Sequence, residues 1–237
     1  MKTSTMLIIA AILVILGCLT VYNYKIKEVY LTREYRSPFR GMEFTPLNGI
    51  EKLNLKIGDN INVEVKYGEK EGIWIDKDIK EKISLKITGQ TLNLGLVPKK
   101  EGDEPIGYGN IILFTRKLNA VSSFSYDVPK APNRYDHLDQ MAISGYKTDH
   151  LNLNIGFNTS ISLRNMELRK LDANVGDKRY GDAELILSSD TRIDTALLNV
   201  PGKSKLSLFD PKIVKTSYNL SDSASVFLNG KVAKMLR

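Results

Sequence analysis

The sequence predicts an all-β fold, a parallel β-helix or β-solenoid with coils of roughly 20 residues, preceded by one N-terminal transmembrane helix. The prediction is supported by an uncharged apolar run near the N-terminus, by strict apolar–polar alternation from Leu53 onward and by an internal repeat in the C-terminal half. The expected domains are a transmembrane signal anchor at residues 1–22, a connector at 23–52 and a β-solenoid domain at 53–237.

The N-terminal apolar run extends from Met6 to Tyr22 and contains no charged side chain. As a helix it is about 26 Å long, near the lower limit for crossing a bilayer. A cleaved signal peptide needs a small-x-small site, and none follows residue 16. A lipoprotein signal ending at Cys18 is the other alternative, since Gly17 precedes the cysteine, although Leu16 is larger than the usual residue there. A retained anchor is favoured, with cleavage and lipidation at Cys18 left open.

The charges around this helix bear on its orientation. Lys2 precedes it, and five basic residues follow it, namely Lys25, Lys27, Arg33, Arg36 and Arg40. Taken literally, the positive-inside rule places the C-terminal part in the cytoplasm, but a long domain translocates largely regardless of flanking charge. We therefore expect a single-pass inner-membrane protein whose domain faces the periplasm, with an outer-membrane lipoprotein as the alternative.

Charge and cysteine content exclude several classes of function. The chain carries a net charge of +7, and Lys2 is the only charged residue of segment 1–22, which leaves +6 on the remainder. These charges are dispersed with alternating sign, whereas nucleic-acid-binding proteins concentrate basic residues on one face, so no nucleic acid is expected as a partner. Cys18 is the only cysteine, so the β domain has no disulfide and no cysteine-based metal site.

Short strands with one apolar face follow one another from residue 53. Leu53–Ile57, Ile61–Val65, Ile83–Ile87 and Leu92–Leu96 each alternate between apolar and polar residues. Gly and Asn lie in the gaps, as turns require. After residue 23, the sequence indicates helix only as a short turn within Asp76–Lys82.

The fold prediction is based on an internal repeat. Leu151–Gly156 (LNLNIG) is nearly identical to Leu53–Gly58 (LNLKIG). Five apolar residues then recur at spacings of 20, 24, 21 and 20 residues, and they are Ile143, Leu163, Leu187, Leu208 and Leu228. A period this short suits stacked coils that share one core, so these five side chains are expected in one buried column. An ordinary β-sandwich is the alternative.

The residues of the repeat also resemble a known family. The segments Leu151–Gly156, Ile143–Gly145 and Leu220–Gly230 are similar to the bacterial "putative auto-transporter adhesin, head GIN domain" family. The resemblance covers roughly residues 50–237 and implies an exported, envelope-attached β-helix protein of a Gram-negative bacterium. It brings no catalytic or binding motif with it. The repeat is weak between Val97 and Tyr146, which leaves the number of coils there open.

The two histidines are candidates for a catalytic or metal-binding role. His137 and His150 each have an aspartate next to them, Asp136 and Asp149. No serine lies in a nucleophile elbow and no second ligand cluster accompanies them. Both histidines are therefore predicted to be surface turn residues.

The acidic and the aromatic groups each allow a functional and a structural interpretation. The pair Asp76 and Asp78 and the loop residues Glu101, Asp103 and Glu104 are interpreted as solvated charges and not as a glycosidase pair or a Ca²⁺ site. Aromatic residues are dense in the middle of the chain, and they are Trp74, Tyr108, Phe114, Phe124, Tyr126, Tyr135 and Tyr146. They either form an exposed binding face or close the ends of a narrow core, and the second interpretation is favoured.

Together these patterns predict a membrane-anchored, non-catalytic envelope protein with an adhesin-like interaction surface. No catalytic residue, metal ligand or cofactor is assigned, and the binding residues are unknown. The expected contacts are the membrane, through the N-terminal helix, and a protein or glycan partner. The alternative is a carbohydrate-active β-helix enzyme, a polysaccharide lyase or hydrolase.

Overall fold

The structure is a computed structural model that describes residues 3–32, 37–57, 61–98, 107–125, 138–178 and 182–229. The chain divides into two compact units, Met1–Met42 and Glu43–Arg237. His137, Asp136, Tyr126, Tyr135, Glu101, Asp103 and Glu104 lie outside the described residues.

The first unit contains helix α1, Thr3–Thr32. Its segment Thr5–Leu31 is long and apolar enough to cross a membrane, by length and composition, and a signal sequence near an N-terminus meets the same criterion. The helix continues past Tyr22, where the sequence prediction ended it. Lys25 and Glu28 lie three residues apart on this added part and form an ion pair of 3.6 Å, a spacing that supports a helix.

The second unit is built almost entirely from strands. The described strands are β1 (Met42–Pro46), β2 (Lys52–Ile57), β3 (Ile61–Tyr67), β4 (Gly72–Asp76), β5 (Ile83–Thr88), β6 (Thr91–Leu96), β7 (Gly109–Thr115), β8 (Ala120–Ser125), β9 (Asp139–Ser144), β10 (Lys147–Ile155), β11 (Thr159–Arg164), β12 (Glu167–Val175), β13 (Glu184–Leu187), β14 (Arg192–Val200), β15 (Lys205–Leu208), β16 (Lys212–Leu220) and β17 (Ser225–Leu228). One four-residue helix, α2 (Lys77–Lys80), lies between β4 and β5.

These strands form two sheets. The nine-stranded sheet has the order β1-β4-β7-β3-β9-β11-β13-β15-β17, and the eight-stranded sheet has the order β16-β14-β12-β10-β8-β2-β6-β5. In β2, β6 and β12, buried and more exposed residues alternate, so each strand turns one apolar face inward. The inward residues of both sheets, among them Leu171 and Leu187, belong to one hydrophobic cluster.

The predicted fold class, a parallel β-helix or β-solenoid of uniform coils, is wrong. The chain forms two large mixed sheets, in which β4 pairs antiparallel with β7 and β5 pairs antiparallel with β6. Strand order also departs from chain order, since β3 lies between β7 and β9. The physical reason is that the repeat is confined to residues 139–228, and the prediction extended it to the whole domain.

Within residues 139–228 the strand register follows the repeat. Ile143 pairs with Leu163, Leu163 with Leu187, Leu187 with Leu208, and Leu208 with Leu228, always in parallel strands. The first four side chains are buried, whereas Leu228 is only partly buried because β17 is the last strand of its sheet. The predicted buried column is therefore confirmed for the first four residues, and Leu228 continues their register at the edge of the sheet.

The two ends of the stack of strands differ. At the N-terminal end, β4 turns back along β7 and α2 follows it, with Ile79 of α2 buried against the core. The Lys80 ammonium and the Glu43 carboxylate form an ion pair between α2 and β1. At the C-terminal end, β16 and β17 are the last strands of their sheets, and apolar side chains on both are half exposed. We call β16 and β17 the terminal strands.

Candidate functional site

The outer face of the eight-stranded sheet carries a row of asparagines. Parallel strands in register place Asn219, Asn199, Asn174 and Asn154 side by side on β16, β14, β12 and β10. Ser122 of β8 continues the row, followed by Asn54 of β2 and Asn93 of β6. We call these seven aligned residues the asparagine ladder.

Hydrogen bonds along the asparagine ladder all run in one direction. Four Nδ2 groups donate to the Oδ1 atom of the next asparagine: Asn219 to Asn199 over 2.8 Å, Asn199 to Asn174 over 2.5 Å, Asn174 to Asn154 over 3.2 Å, and Asn54 to Asn93 over 2.9 Å. The Nδ2 group of Asn93 then donates to the carbonyl oxygen of Lys86 on β5 over 3.3 Å. The ladder therefore contains two ordered runs of amides, one on β16, β14, β12 and β10 and one on β2 and β6, with Ser122 of β8 between them.

A shallow polar groove lies beside the asparagine ladder. The adjoining residues in register are Asn152, Asp172, Leu197 and Ser217. Most of the lining residues are polar, but most of the surface exposed in the groove is apolar, and Leu197 is 40% exposed.

Asp172 is the acidic group of this groove. Its Oδ2 atom accepts a hydrogen bond from the Lys170 ammonium over 2.9 Å and lies 2.7 Å from Nε2 of His150. Partial burial works against ionisation, but the hydrogen bonds from Lys170 and His150 outweigh it, and the pKa of Asp172 is lowered. The groove therefore presents an ionised carboxylate near neutral pH.

A second, charged groove lies near the beginnings of β10, β12 and β14. It is lined by Lys117, Lys147, Thr148, Asp149, Glu167, Leu168, Arg169, Arg192 and Asp194. Lys147 and Glu167 form an ion pair of 3.0 Å, which lowers the pKa of Glu167, and Arg169 and Asp149 form one of 3.4 Å. The charges of both signs are interleaved, so this groove does not provide the concentrated positive surface that a polyanion requires.

His150 lies on strand β10, so the prediction that it occupies a turn is wrong. It is exposed, as predicted, but its partner is Asp172 on the adjacent strand and not the neighbouring Asp149. The sequence missed this pair because contact across parallel strands depends on register. His137 lies outside the described residues.

The described acidic residues singled out in the sequence have separate environments. The Oδ2 atom of Asp76 accepts hydrogen bonds from the backbone N–H of Asn110 over 2.7 Å and from its Nδ2 over 3.1 Å. Asp78 lies in the first turn of α2. Across the part of the chain that the structure describes, no group of three His, Cys, Asp or Glu residues is arranged to hold a metal ion.

The described aromatic residues do not share one face. Tyr146 is buried, with its hydroxyl 2.8 Å from Oγ1 of Thr115, whereas Tyr108 is almost fully exposed. The ring of Trp74 lies 5.0 Å from that of Phe44, at the N-terminal end of the stack. These positions give no continuous aromatic binding surface among the described residues.

Sequence reasoning missed the asparagine ladder, although the sequence contains its signal. An asparagine precedes an apolar strand residue at positions 154, 174, 199 and 219, with spacings of 20, 25 and 20 residues. The same residue type stands at 54 and 93. The fold prediction used only the period of the buried apolar residues and did not include this second period, that of the outward-facing asparagines.

Comparison with known proteins identifies similar folds but no sequence relatives. No protein-family model matches the chain, and no curated protein matches it. Three crystal structures are similar over most of their length. A "putative adhesin" from Bacteroides fragilis has a TM-score of 0.50 at 13% identity, covering 79% of this chain and 95% of that chain.

The other two structures come from related bacteria. A "putative lipid binding protein" from Parabacteroides distasonis has a TM-score of 0.40 at 13% identity, covering 78% of this chain and 95% of that chain. A "putative adhesin" from Parabacteroides merdae has a TM-score of 0.35 at 9% identity, covering 79% and 95%. At these identities the similarity concerns the fold alone, and the Bacteroides fragilis protein is the one among the three whose score supports a shared fold.

Proposed function

We propose that this chain is a membrane-anchored, non-catalytic envelope protein that presents the outer face of its eight-stranded sheet as an adhesin-like interaction surface. The observation that supports this most directly is the asparagine ladder with the polar groove beside it. The proposal also agrees with the description of the Bacteroides fragilis protein of similar fold as a putative adhesin.

The asparagine ladder suits binding because its side chains are already ordered. Immobilising a flexible side chain on binding costs about 0.5–1.5 kcal/mol, and amides held by their neighbours avoid most of that cost. The polar groove adds an ionised carboxylate, hydroxyl and amide groups, and the apolar side chain of Leu197. This mixture fits a partner that offers hydroxyl or amide groups together with apolar patches, as glycans and protein surfaces do.

The anchoring part of the proposal rests on helix α1. We propose that the uncharged segment 6–22 crosses the inner membrane, that residues 1–22 are retained, that 23–52 connects and that the β domain, 53–237, faces the periplasm. The support is the length and composition of α1. Residues of the ladder, of the polar groove and of the charged groove then belong to a surface outside the cytoplasm.

The carboxylates of the sheet face argue against the alternative, a carbohydrate-active enzyme. A glycoside hydrolase needs one carboxylic acid with a raised pKa to protonate the leaving group. The pKa values of Asp172 and Glu167 are lowered, by partners that include Lys170 and Lys147. Both groups are therefore held ionised and are poor proton donors.

Binding of the full chain, purified in lipid nanodiscs, to arrays of envelope polysaccharides and matrix proteins tests the proposal. Asn199→Ala should weaken the binding of any probe that the wild-type chain retains. The matched control is Asn62→Ala, which removes an Asn–Asn contact of 3.4 Å from the nine-stranded sheet and should leave binding unchanged. Equal loss in both variants, or release of polysaccharide fragments, would contradict the proposal.

A further inference from the structure

At the C-terminal end of the β unit, apolar residues are exposed whose register partners on the adjacent strands are buried. Tyr218 and Leu220 of β16 pair with the buried Leu198 and Val200 of β14, yet they are 49% and 41% exposed. Val226 of β17 pairs with the buried Leu206 and is 40% exposed. Neither terminal strand has a neighbour on its outer side within the described residues.

We infer that the terminal strands β16 and β17 form a homodimer interface, each pairing antiparallel with the same strand of a second copy of this chain. A two-fold axis normal to the sheets reverses the strand direction and keeps each strand in its sheet plane. One symmetry operation therefore extends both sheets at once and covers the exposed residues of both copies.

The chemistry of the terminal strands permits this pairing. An inward-pointing charge is one device that blocks strand addition at an edge, beside edge lysines, bulges and very short strands. The inward residues of β16 and β17 carry no charge, and they are Ile213, Thr216, Tyr218, Leu220, Val226 and Leu228. Lys212 and Lys215 belong to the outer face, where they remain solvated after pairing.

The proposed pairing gives a closed dimer and not a filament. A filament would require the terminal strands to pair with β1 and β5 at the other end of the stack. That end carries the buried Ile79 of α2 and the ion pair of Lys80 with Glu43, but its edge strand β5 also exposes Ile87, which is 46% exposed. Pairing of the terminal strands with their own copies closes the assembly at two chains, whereas pairing with β1 and β5 would give a mass above that of a dimer.

The asparagine ladder suggests the register. Asn219 ends the row of amides on the outermost strand: its Nδ2 donates to Asn199, and no donor to its Oδ1 atom is found in the described part of the chain. If Ser217 lies opposite Ser217 of the second copy, Lys215 lies opposite the second copy's Asn219. The ammonium group then supplies the missing donor, twice by symmetry.

The exposed apolar area supplies part of what a dimer needs. The inward residues Tyr218, Leu220 and Val226 are 49%, 41% and 40% exposed, and together they offer on the order of 200 Å² of apolar surface. A standard interface buries about 800 Å² per partner. The backbones and polar side chains of the two terminal strands supply the remainder.

Light scattering of the full chain in detergent micelles, after size-exclusion chromatography, measures the oligomeric state. The expected protein mass is that of two 26.6 kDa chains. Val226→Lys places an inward charge at the interface and should give a monomer. Ile87→Lys is the matched control, since Ile87 is 46% exposed on β5, at the opposite edge of the eight-stranded sheet, and this variant should remain dimeric.

A cysteine cross-link keeps the inference testable if Val226→Lys fails to fold. In a Cys18→Ala background, Ser217→Cys should form an interchain disulfide, because opposite residues of paired strands have Cβ atoms about 4.5–5.5 Å apart. Thr195→Cys, on the neighbouring strand β14, should not form an interchain disulfide. A monomeric wild-type chain, as expected if residues 230–237 cover this end, would overturn the inference. So would a dimer that persists in a folded Val226→Lys protein, as expected if α1 alone causes dimerisation.

Discussion

The side chain of Asn199 connects two strands at once: its Oδ1 accepts a hydrogen bond from Asn219 over 2.8 Å, and its Nδ2 donates one to Asn174 over 2.5 Å. Asn174 has the same double role, whereas Asn219 at the edge of the sheet makes one such bond. The stability of the ladder should therefore depend on position.

Asn174→Ala should destabilise the β unit by about 1–3 kcal/mol, because it leaves the donor of Asn199 and the acceptor of Asn154 without their partner in a part-buried row. Asn219→Ala should cost about 0.5–1.5 kcal/mol, since one exposed bond is lost. Urea unfolding followed by the fluorescence of Trp74, the only tryptophan, measures both. An equal decrease in the free energy of unfolding for the two variants would show that the amides act independently.

Leu208→Ala should cost about 2–5 kcal/mol, because this side chain is buried in the column of paired apolar residues. Leu208→Asp should prevent folding, since its charge would be buried without a partner. Leu197→Ala removes the same atoms from a 40% exposed position and should cost less than half as much as Leu208→Ala. Thermal unfolding monitored by circular dichroism distinguishes the three variants.

The Glu71 carboxylate connects two loops by hydrogen bonds. It accepts one from the backbone N–H of Gly49 over 2.9 Å and one from the backbone N–H of Arg116 over 3.1 Å. Partial burial works against ionisation, but these bonds outweigh it and the pKa of Glu71 is lowered. The stabilisation is therefore fully present above the ordinary value of 4.5 and is lost as pH falls through the lowered pKa.

Glu71→Gln should accordingly reduce the free energy of unfolding by about 1 kcal/mol at pH 7. The difference from the wild-type chain should shrink in acid, as measured by unfolding curves at several pH values. Glu69→Gln, at an exposed position two residues earlier, is the control and should change little. A constant difference at all pH values would exclude a role for the ionised carboxylate.

Tyr146 is a buried tyrosine whose hydroxyl donates to the carbonyl oxygen of Lys66 over 2.9 Å and lies 2.8 Å from Oγ1 of Thr115. Burial raises its pKa from 10.0 to about 12, so the folded state favours the neutral phenol. That stabilisation is present below pH 10 and is lost as pH rises towards 12.

Tyr146→Phe should cost about 1–3 kcal/mol, because the carbonyl of Lys66 loses its donor in a buried site. The exposed Tyr108 provides the control, and Tyr108→Phe should be neutral. Chemical denaturation at pH 7 measures the cost. Ultraviolet absorbance during alkaline titration should show Tyr146 ionising later than the exposed tyrosines, and simultaneous ionisation would contradict the buried environment.

Membrane association should survive alkaline carbonate and high salt, because it depends on burial of the apolar helix α1 and not on surface charge. Cys18→Ala should leave the protein in the membrane fraction. Release of this variant into the soluble fraction, detected by immunoblotting, would instead establish lipidation at Cys18 as the means of attachment.

Local patterns in the sequence predicted the helix, most strand positions and the column through Leu163 and Leu208. They did so because apolar periodicity reports directly which side of a strand is buried. The predicted fold class failed at β5 and β6. Their connection through Gly89 and Gln90 is a two-residue hairpin turn, with a φ of 58° at Gly89, and it reverses the chain where a uniform coil would continue.

Other features depend on contacts between distant parts of the chain. The pairing of β3 with both β7 and β9 joins segments far apart in sequence, and nothing within β3 specifies it. The contact between His150 and Asp172 likewise requires the register of β10 and β12. Such contacts become visible only after the strands are assembled, which is why the two grooves were absent from the prediction.

The register of residues 139–228 has a consequence for how genes of this kind change in length. Glu184 of β13 pairs with Lys205 of β15, and Arg192 of β14 pairs with Lys212 of β16. The strands β13 and β14 together therefore make one repeating layer, with one strand in each sheet. Glu184 now pairs with Ser160, and Arg192 pairs with Glu167. If residues 184–204 were lost, Lys205 would take the place of Glu184 beside Ser160, and Lys212 would take the place of Arg192 beside Glu167. In-frame duplication or deletion of one such unit therefore lengthens or shortens the protein by a whole layer, while both sheets, the apolar column and the row of amides stay continuous.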